Sequence, residues 1–173
     1  MKITILKENL REGLAAVGRI AQKNLSLPIL NSVLLEAEKS FLCLKTTDLE
    51  LGIKWWVLAK IEKEGKIACS LRFFQGLVDS LSADKISLKT DDKKLILETE
   101  NFQSQINGQD PEDFPIIPEP ETKVTFLVKD LQLVNGLSRV VDMAAVSTVK
   151  PEISGVYFYS TGNQMKMVAT DSF

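Results

Sequence analysis

The sequence predicts an α+β protein in which a unit of about 123 residues recurs in tandem, with antiparallel sheets packed on two helices per unit. One observation behind this prediction is a gap-free match of the chain with itself when it is shifted by that period. Another is the alternation of helix-periodic segments with short strand-like segments. The composition agrees, because 45% hydrophobic and 25% charged residues are typical of globular domains.

The repeat is clearest in an apolar stripe and in the turns that follow it. The stripe and its second copy are Leu10, Gly13, Leu14, Val17 and Ala21 with Leu133, Gly136, Leu137, Val140 and Ala144. Farther along, Pro28, Val33 and Thr47-Asp48 coincide with Pro151, Val156 and Thr170-Asp171. Apolar matches at helical spacing and then at strand spacing, all in one register, favour a structural repeat over chance.

The period sets the predicted domain organisation. Residues 1–122 form a complete first domain and residues 123–173 the truncated start of a second, so we expect the front of a longer protein. Residues 110–121 contain four prolines, which remove backbone donors and favour a semi-rigid linker. The second unit is too short to bury a full core, and we expect it to be poorly ordered or stabilised by a neighbour.

The first half of the unit alternates strands and a helix. Residues 2–6 predict a strand. Residues 7–22 predict an amphipathic helix, because its apolar residues Leu10, Leu14, Val17 and Ala21 are spaced by four, three and four positions. Further strands are predicted at residues 29–36 and 41–46. Residues 51–61 alternate strictly between apolar and polar positions, which predicts one half-buried strand.

The second half begins with another helix, at residues 71–81. The residues on or near its buried face are Phe73, Phe74, Leu77, Val78 and Leu81. Strands at residues 85–90 and 95–100 are joined by a charged hairpin turn, and residues 102–107 supply a last strand. One unit is thus predicted to contain roughly eight strands and two helices, with antiparallel meanders covered by the helices.

The residue types exclude several kinds of catalysis. The chain has no histidine, which removes Ser-His-Asp and Cys-His mechanisms and His-ligated metals. Cys43 and Cys69 lie in apolar runs outside any CxxC pair, so we expect reduced core thiols, with a disulfide or a reactive thiol as the alternative. The paired acids of the hairpin turn and of the linker are interpreted as solvated charges.

Thr47-Asp48 and its copy Thr170-Asp171 directly follow predicted strands. A catalytic Asp can occupy such a position, but a turn in which the carboxylate accepts backbone N–H groups is the favoured interpretation. The sequence also lacks a glycine-rich phosphate loop. We therefore predict a protein that is not an enzyme and that needs no cofactor and no metal.

The charge balance argues against a simple basic nucleic-acid binder. The chain has 21 Lys+Arg against 23 Asp+Glu, a net charge of −2. On the first helix, Arg11, Arg19 and Lys23 share their face with Glu8 and Glu12, so that face is mixed. No run approaches the ~18 apolar residues of a membrane span, and no signal segment is evident, so a cytoplasmic location is expected.

Five motifs, in order and at their spacings, resemble the bacterial sliding clamp family, the beta subunit of DNA polymerase III. They are Leu27-Pro28-Ile29-Leu30, Thr47-Asp48-Leu49-Glu50, Phe73-Phe74, Asp113-Phe114-Pro115 and Ala169-Thr170-Asp171. The resemblance implies a DNA-clamp fold and a homodimeric, head-to-tail ring that encircles duplex DNA without sequence preference. It also implies a processivity factor for DNA replication, which tethers the replicative polymerase, the clamp loader and repair proteins through short peptide motifs.

The resemblance further implies three sets of functional residues. The DNA-binding set is Lys23, Asn24, Arg72, Ser147, Thr148 and Lys150. The partner-peptide cleft would use Ile153, Thr170, Ser172 and Phe173, and the ring interface Phe102, Ser104 and Ile106 on an edge strand. Ordinary surface charge is the alternative for the three cations, and a plain core role is the alternative for Ile153.

A second function class stays open at this point. The near-neutral charge is also compatible with a protein-interaction module that never touches DNA.

Overall fold

A computed structural model describes residues 1–20, 27–119, 125–147, 149–162 and 164–172. The chain divides into two compact units, Met1–Glu119 and Pro120–Phe173. In the first unit, strands pair antiparallel and helices cover the sheets, which confirms the predicted α+β class.

The described residues of the first unit form nine strands and two α-helices. The strands are β1 (Lys2–Leu6), β2 (Ser32–Glu38), β3 (Phe41–Thr47), β4 (Gly52–Leu58), β5 (Lys60–Lys63), β6 (Gly65–Ser70), β7 (Lys85–Asp91), β8 (Lys94–Glu98) and β9 (Gln103–Gln109). The helices are α1 (Lys7–Val17) and α2 (Leu71–Ser80). The strand order is β4-β3-β2-β6-β9-β8-β7-β1-β5.

Strand β9 joins the two halves of this sheet. Residues Gln103 to Asn107 of β9 pair with β8, whereas only Gly108 and Gln109 pair with β6. The two halves therefore meet at the carboxyl end of β9.

Helix α1 packs on the sheet through its apolar stripe. Leu10, Leu14 and Val17 are fully buried, as predicted. The helix ends earlier than predicted, at Val17, and the N–H of Gly18 then donates to the Leu14 carbonyl at 2.9 Å. Ala21, the last predicted stripe position, lies outside the described residues.

Gly13 allows α1 to approach the sheet closely. A Cβ atom at this position would lie 2.8 Å from Leu44 Cδ1 and 2.9 Å from Val57 Cγ2. Leu44 is fully buried and Val57 nearly so, which means that the space beside Gly13 is already filled by core side chains.

Two predicted strands have different bounds in the structure. Pro28–Asn31 forms a short 3-10 turn, so β2 begins at Ser32 rather than at residue 29. The predicted strand at 51–61 is two strands, β4 and β5, at opposite ends of the strand order. Between them the Ala59 N–H donates to the Ser40 carbonyl at 3.1 Å. Apolar and polar residues alternate through the break between β4 and β5, because both strands keep one face towards the core. The sequence pattern therefore could not reveal that the two strands pair with different neighbours.

One strand was missed, and one further expectation was wrong. Strand β6 was not predicted, although it is an interior strand paired with both β2 and β9. Phe73 was expected on or near the buried face of α2 but is 70% exposed. The buried residues of this helix, Leu71, Phe74 and Val78, are spaced by three and four, which places Phe73 on the outer side.

The proline-rich segment packs on the first unit. We call residues 110–119 the strap. Phe114 is only 6% exposed and packs with Leu34 and Ala68, and Ile117 lies against Gly52, where a Cβ would be 2.6 Å from Ile117 Cγ2. This part of the predicted linker is therefore docked by an aromatic anchor; residues 120 and 121 lie outside the described part of the chain.

Among the described residues, three salt bridges also join the strap to the rest of the unit, one of them between Lys93 Nζ and Asp110 Oδ2 at 4.0 Å. Lys66 Nζ lies 3.6 Å from Glu112 Oε1, and Lys54 Nζ lies 3.3 Å from Glu119 Oε1.

The second unit repeats the geometry of the first. Its elements are α3 (Asp130–Val140), β10 (Tyr157–Thr161) and β11 (Gln164–Val168). The bounds of α3 equal those of α1 shifted by the repeat period, and Pro151–Ile153 forms a 3-10 turn at the place of Pro28–Asn31. The repeat is thus a repeat of structure.

Individual contacts recur as well. A Cβ at Gly136 would lie 3.0 Å from Met167 Sδ, the counterpart of the contact between Gly13 and Leu44. Lys39 (φ 54°) and Gly162 (φ 57°) occupy the same left-handed turn position in the two units. Backbone geometry is therefore retained where the residue type has changed.

The second unit buries less of its apolar surface. None of its described side chains is buried, and Leu127, Leu131 and Tyr157 are largely exposed. Its helical stripe, Leu133, Leu137 and Val140, is half-buried.

Gly13→Ala should destabilise the first unit by about 1–2 kcal/mol, because overpacking outweighs the gain in helix propensity. Denaturant unfolding followed by tryptophan fluorescence measures this, since both tryptophans lie in β4. Gly76→Ala in α2 is the matched control: nothing lies within 4 Å of its Cβ position. That variant should gain up to about 1 kcal/mol. Equal shifts for the two variants would contradict the close packing at Gly13.

Limited proteolysis should cut within residues 125–172 before it cuts within the first unit. Burial of side chains limits local opening, and the second unit has little of it. Mass spectrometry of a time course identifies the first fragments. Equal resistance of the two units would show that the second unit is stabilised by contacts other than its own core.

Candidate nucleic-acid interface

The outer face of α1 and α2 carries balanced charge. Its exposed charged residues, on the helices or directly after them, are Arg11, Arg19, Arg72, Glu8, Glu12 and Asp79. Three cations and three anions thus lie on the same surface. Lys7 is half-buried and donates from Nζ to the Leu81 carbonyl at 2.5 Å. The mixed face predicted for α1 is therefore present, and α2 extends it.

Arg11 is the cation of this face with two acidic neighbours. Its Nη1 lies 3.5 Å from Glu8 Oε1, and its Nε lies 3.8 Å from Asp79 Oδ1. The contact to Asp79 joins the two helices. Sequence reasoning missed Asp79, although its spacing of seven residues from Arg72 is the signal that places both on one helical face.

Arg72 stands differently from Arg11. It is the second residue of α2, it is exposed, and it forms no ion pair with any described residue. Its guanidinium is thus available to a phosphate, and the exposed Phe73 ring follows it directly. Lys23 and Asn24, the other predicted contacts in this unit, lie outside the described residues.

Two of the predicted DNA-binding residues of the second unit, Ser147 and Lys150, lie in one turn. The hydroxyl of Ser147 accepts hydrogen bonds from the N–H groups of Val149 and Lys150, each at 3.2 Å. Ser154 Oγ donates to the Ser147 carbonyl at 2.8 Å. Ser147 therefore shapes the turn, and the Lys150 side chain is exposed. Thr148 lies outside the described part of the chain.

The residues predicted for the peptide cleft are placed on two segments. Ile153 is half-buried at the end of a 3-10 turn, and its carbonyl accepts the Ala145 N–H at 3.2 Å. Thr170 and Ser172 are exposed, and the Ser172 N–H donates to Thr170 Oγ1 at 3.1 Å. Phe173 lies outside the described residues. The cleft stays a prediction.

The Thr-Asp pairs form structural turns. Asp48 Oδ1 accepts the N–H groups of Leu51 at 2.7 Å and Glu50 at 3.0 Å, and the Leu51 N–H lowers the pKa of Asp48 most. Thr47 Oγ1 accepts the Leu49 N–H at 3.0 Å. This geometry supports the structural interpretation of the pair.

The same turn recurs in the second unit. Thr170 and Ser172 reproduce the bond between Thr47 and Leu49, with φ values of 77° at Ser172 and 79° at Leu49.

Strand β9 presents a free edge along most of its length. From Gln103 to Asn107 it pairs with β8 alone among the described strands. Phe102 is exposed, Ser104 is half-buried, and Ile106 is 6% exposed because it faces the core. An interface at this edge would therefore use backbone groups and Phe102 more than the Ile106 side chain.

Both thiols belong to the core. Cys43 and Cys69 are buried and unbonded, and burial raises the pKa of Cys69 to about 12. Burial also raises the pKa of Cys43. Reduced core thiols, the favoured expectation, agree with this.

Two kinds of feature are absent from the described residues. No group of three or more His, Cys, Asp or Glu side chains in the described ranges is placed to hold a metal ion. None of the described helices combines the length and apolar character needed to span a membrane.

Comparison with known proteins identifies the family. Residues 1–118 match the family described as DNA polymerase III beta subunit, N-terminal domain. The chain belongs to this family. The sequence-based resemblance is confirmed, and so is the clamp fold.

Named relatives extend the match along the chain. The beta sliding clamp of Synechocystis sp. is 30% identical over 180 residues, which cover 99% of this chain and 46% of that protein. The beta sliding clamp of Pseudomonas aeruginosa is 27% identical over 173 residues, with 99% and 47% covered. The solved structure of a DnaN sliding clamp from Pseudomonas aeruginosa bound to griselimycin superposes with a TM-score of 0.92 at 26% identity, covering 99% of this chain and 47% of that one.

The chain spans about half the length of the curated relatives that it matches.

Asp48→Asn should reduce the stability of the first unit at neutral pH and lose this effect in acid. The folded-state pKa of Asp48 lies below its ordinary value of 3.8, so the ionised carboxylate stabilises the fold above that pH. The contribution disappears as the pH falls through the lowered pKa, where wild type and variant should converge. Denaturant unfolding at stepped pH measures the difference.

Glu50→Gln is the control for Asp48→Asn. Glu50 is exposed in the same turn, and its carboxylate makes no hydrogen bond with a described residue. If the stability of Glu50→Gln also converged with that of the wild type in acid, by the same amount, general charge effects rather than the turn would cause the pH dependence.

Proposed function

We propose that the chain is part of a DNA polymerase processivity factor, a sliding clamp that encircles duplex DNA. In this proposal the protein forms a homodimeric, head-to-tail ring and tethers the replicative polymerase and other replication and repair proteins. The observation that carries the proposal is the family match over residues 1–118, together with relatives named beta sliding clamp.

The charge balance of the helix face fits such a role. A protein that neutralises many phosphates binds DNA tightly, because each contact releases counterions. A sliding protein needs few and sequence-independent contacts, which position it without holding it at one place. Three exposed arginines beside three exposed acids supply an interface of that kind.

The proposed contacts follow the three sets of residues. Arg72 and Lys150 are exposed cations for phosphate groups, with Lys23, Asn24, Ser147 and Thr148 as the remaining members. The peptide cleft would use Ile153, Thr170, Ser172 and Phe173. The free edge of β9, with Phe102, Ser104 and Ile106, would form the ring contact by strand pairing.

This role needs no bond-making chemistry. A topological link to DNA requires a closed shape and weak contacts, so the proposal includes no catalytic residue and no cofactor. The protein would act in the cytoplasm, where bacterial DNA is replicated.

A protein-interaction module without DNA binding is the second candidate. The net charge of −2 is compatible with it. Duplex binding separates the two candidates, because only the clamp should show a salt-dependent contact at the helix face.

Arg72→Ala should weaken binding of the chain to duplex DNA. Loss of one phosphate contact should reduce the slope of log K against log salt by about 0.9, so that a rise in salt of about four-fold lowers the affinity of the variant roughly three-fold less than that of the wild type. Fluorescence anisotropy with a labelled duplex over a salt series measures both quantities.

Lys60→Ala is the matched control for Arg72→Ala. Lys60 is an exposed cation on the edge strand β5, away from the helices. The control should leave the slope unchanged. Absence of duplex binding at every salt concentration, or equal effects of the two variants, would favour the interaction module.

A further inference from the structure

Arg11 lies between two carboxylates in the middle of the helix face. Glu8 is one turn earlier on α1, with Oε1 3.5 Å from Arg11 Nη1, and Asp79 is on α2, with Oδ1 3.8 Å from Arg11 Nε. All three side chains are about half exposed or more. Such pairs contribute little to stability, because water screens them and long side chains must be ordered.

The two acids nevertheless determine the local potential. Both carboxylates lie within 4 Å of the Arg11 guanidinium, so the three groups together carry a net charge of −1. A phosphate approaching Arg11 would meet both carboxylates at distances well inside the Debye length of about 8 Å. Arg72, on the same face, has no acidic partner among the described residues.

We propose that Glu8 and Asp79 withhold Arg11 from phosphate groups and thereby keep the grip of the helix face on DNA weak enough for sliding. The proposal rests on the DNA contact proposed above. Asp79 reaches Arg11 from the neighbouring helix, whereas Glu8 lies on the same helix as Arg11. Neither acid touches DNA; both act by controlling the availability of one arginine.

Asp79→Asn tests this directly, since it removes the charge and keeps the shape of the side chain. The variant should bind duplex DNA several-fold more tightly at low salt, and its salt slope should steepen by about 0.9, one additional phosphate contact. The measurement is the anisotropy titration of the chain with a labelled duplex over a salt series.

A double variant identifies the group that is released. Arg11→Ala alone should change affinity little, because that arginine is withheld in the wild type. Arg11→Ala combined with Asp79→Asn should return the slope to the wild-type value. A gain that persists in the double variant overturns the proposal.

Asp84→Asn is the control for net charge. Asp84 is exposed in the loop after α2 and forms no ion pair with a described residue. A gain from Asp84→Asn equal to that from Asp79→Asn would mean that only total charge matters, and the proposal fails.

The two proposals fail in different ways. If Arg72→Ala weakens duplex binding but Asp79→Asn leaves it unchanged, the role of Asp79 is wrong and the DNA contact stands. If neither the wild type nor Asp79→Asn binds duplex DNA even at low salt, both proposals are wrong.

Discussion

The close approach of α1 to the sheet is the constraint on which the first unit depends. With only hydrogen at Gly13, Leu44 and Val57 reach the helix backbone, and the fully buried stripe of α1 closes the core. The second unit keeps the same contact between Gly136 and Met167. Leu44 and Met167 differ in chemistry but make the same close contact to a helix glycine. The two units therefore share the distance between helix and sheet.

That packing also decides which groups meet at the surface. Because α1 and α2 lie side by side on the core, Arg11 of one helix reaches Asp79 of the other. On the opposite side of the sheet, the strap covers Leu34 and Ala68 through Phe114. The helix face therefore remains exposed with its balanced charges, and Arg11 forms one ion pair within its own helix and one to the neighbouring helix.

Local signals predicted the parts of the fold that depend on local periodicity. The stripe of α1, the hairpin at Asp92 and the turn at Asp48 were evident in the sequence, since each depends on neighbours a few positions away. The break between β4 and β5, the interior strand β6 and the pair of Arg11 with Asp79 depend on partners distant in sequence. For the candidate site, the sequence accordingly indicated exposed charged residues on the helices but not the ion pair that joins the two helices.

The position of β1 has a consequence for how the chain folds. Although β1 is the first strand, it is an interior one, between β5 and β7, and the amino group of Met1 donates to Thr90 Oγ1, 89 positions away, at 2.7 Å. Large loops must therefore close before this strand is fixed, which places the unit among slow, non-local folders with times of about milliseconds to seconds. During synthesis, β1 can pair with β7 only after β7 has been made. Collapse of the first half of the unit alone therefore cannot complete the core.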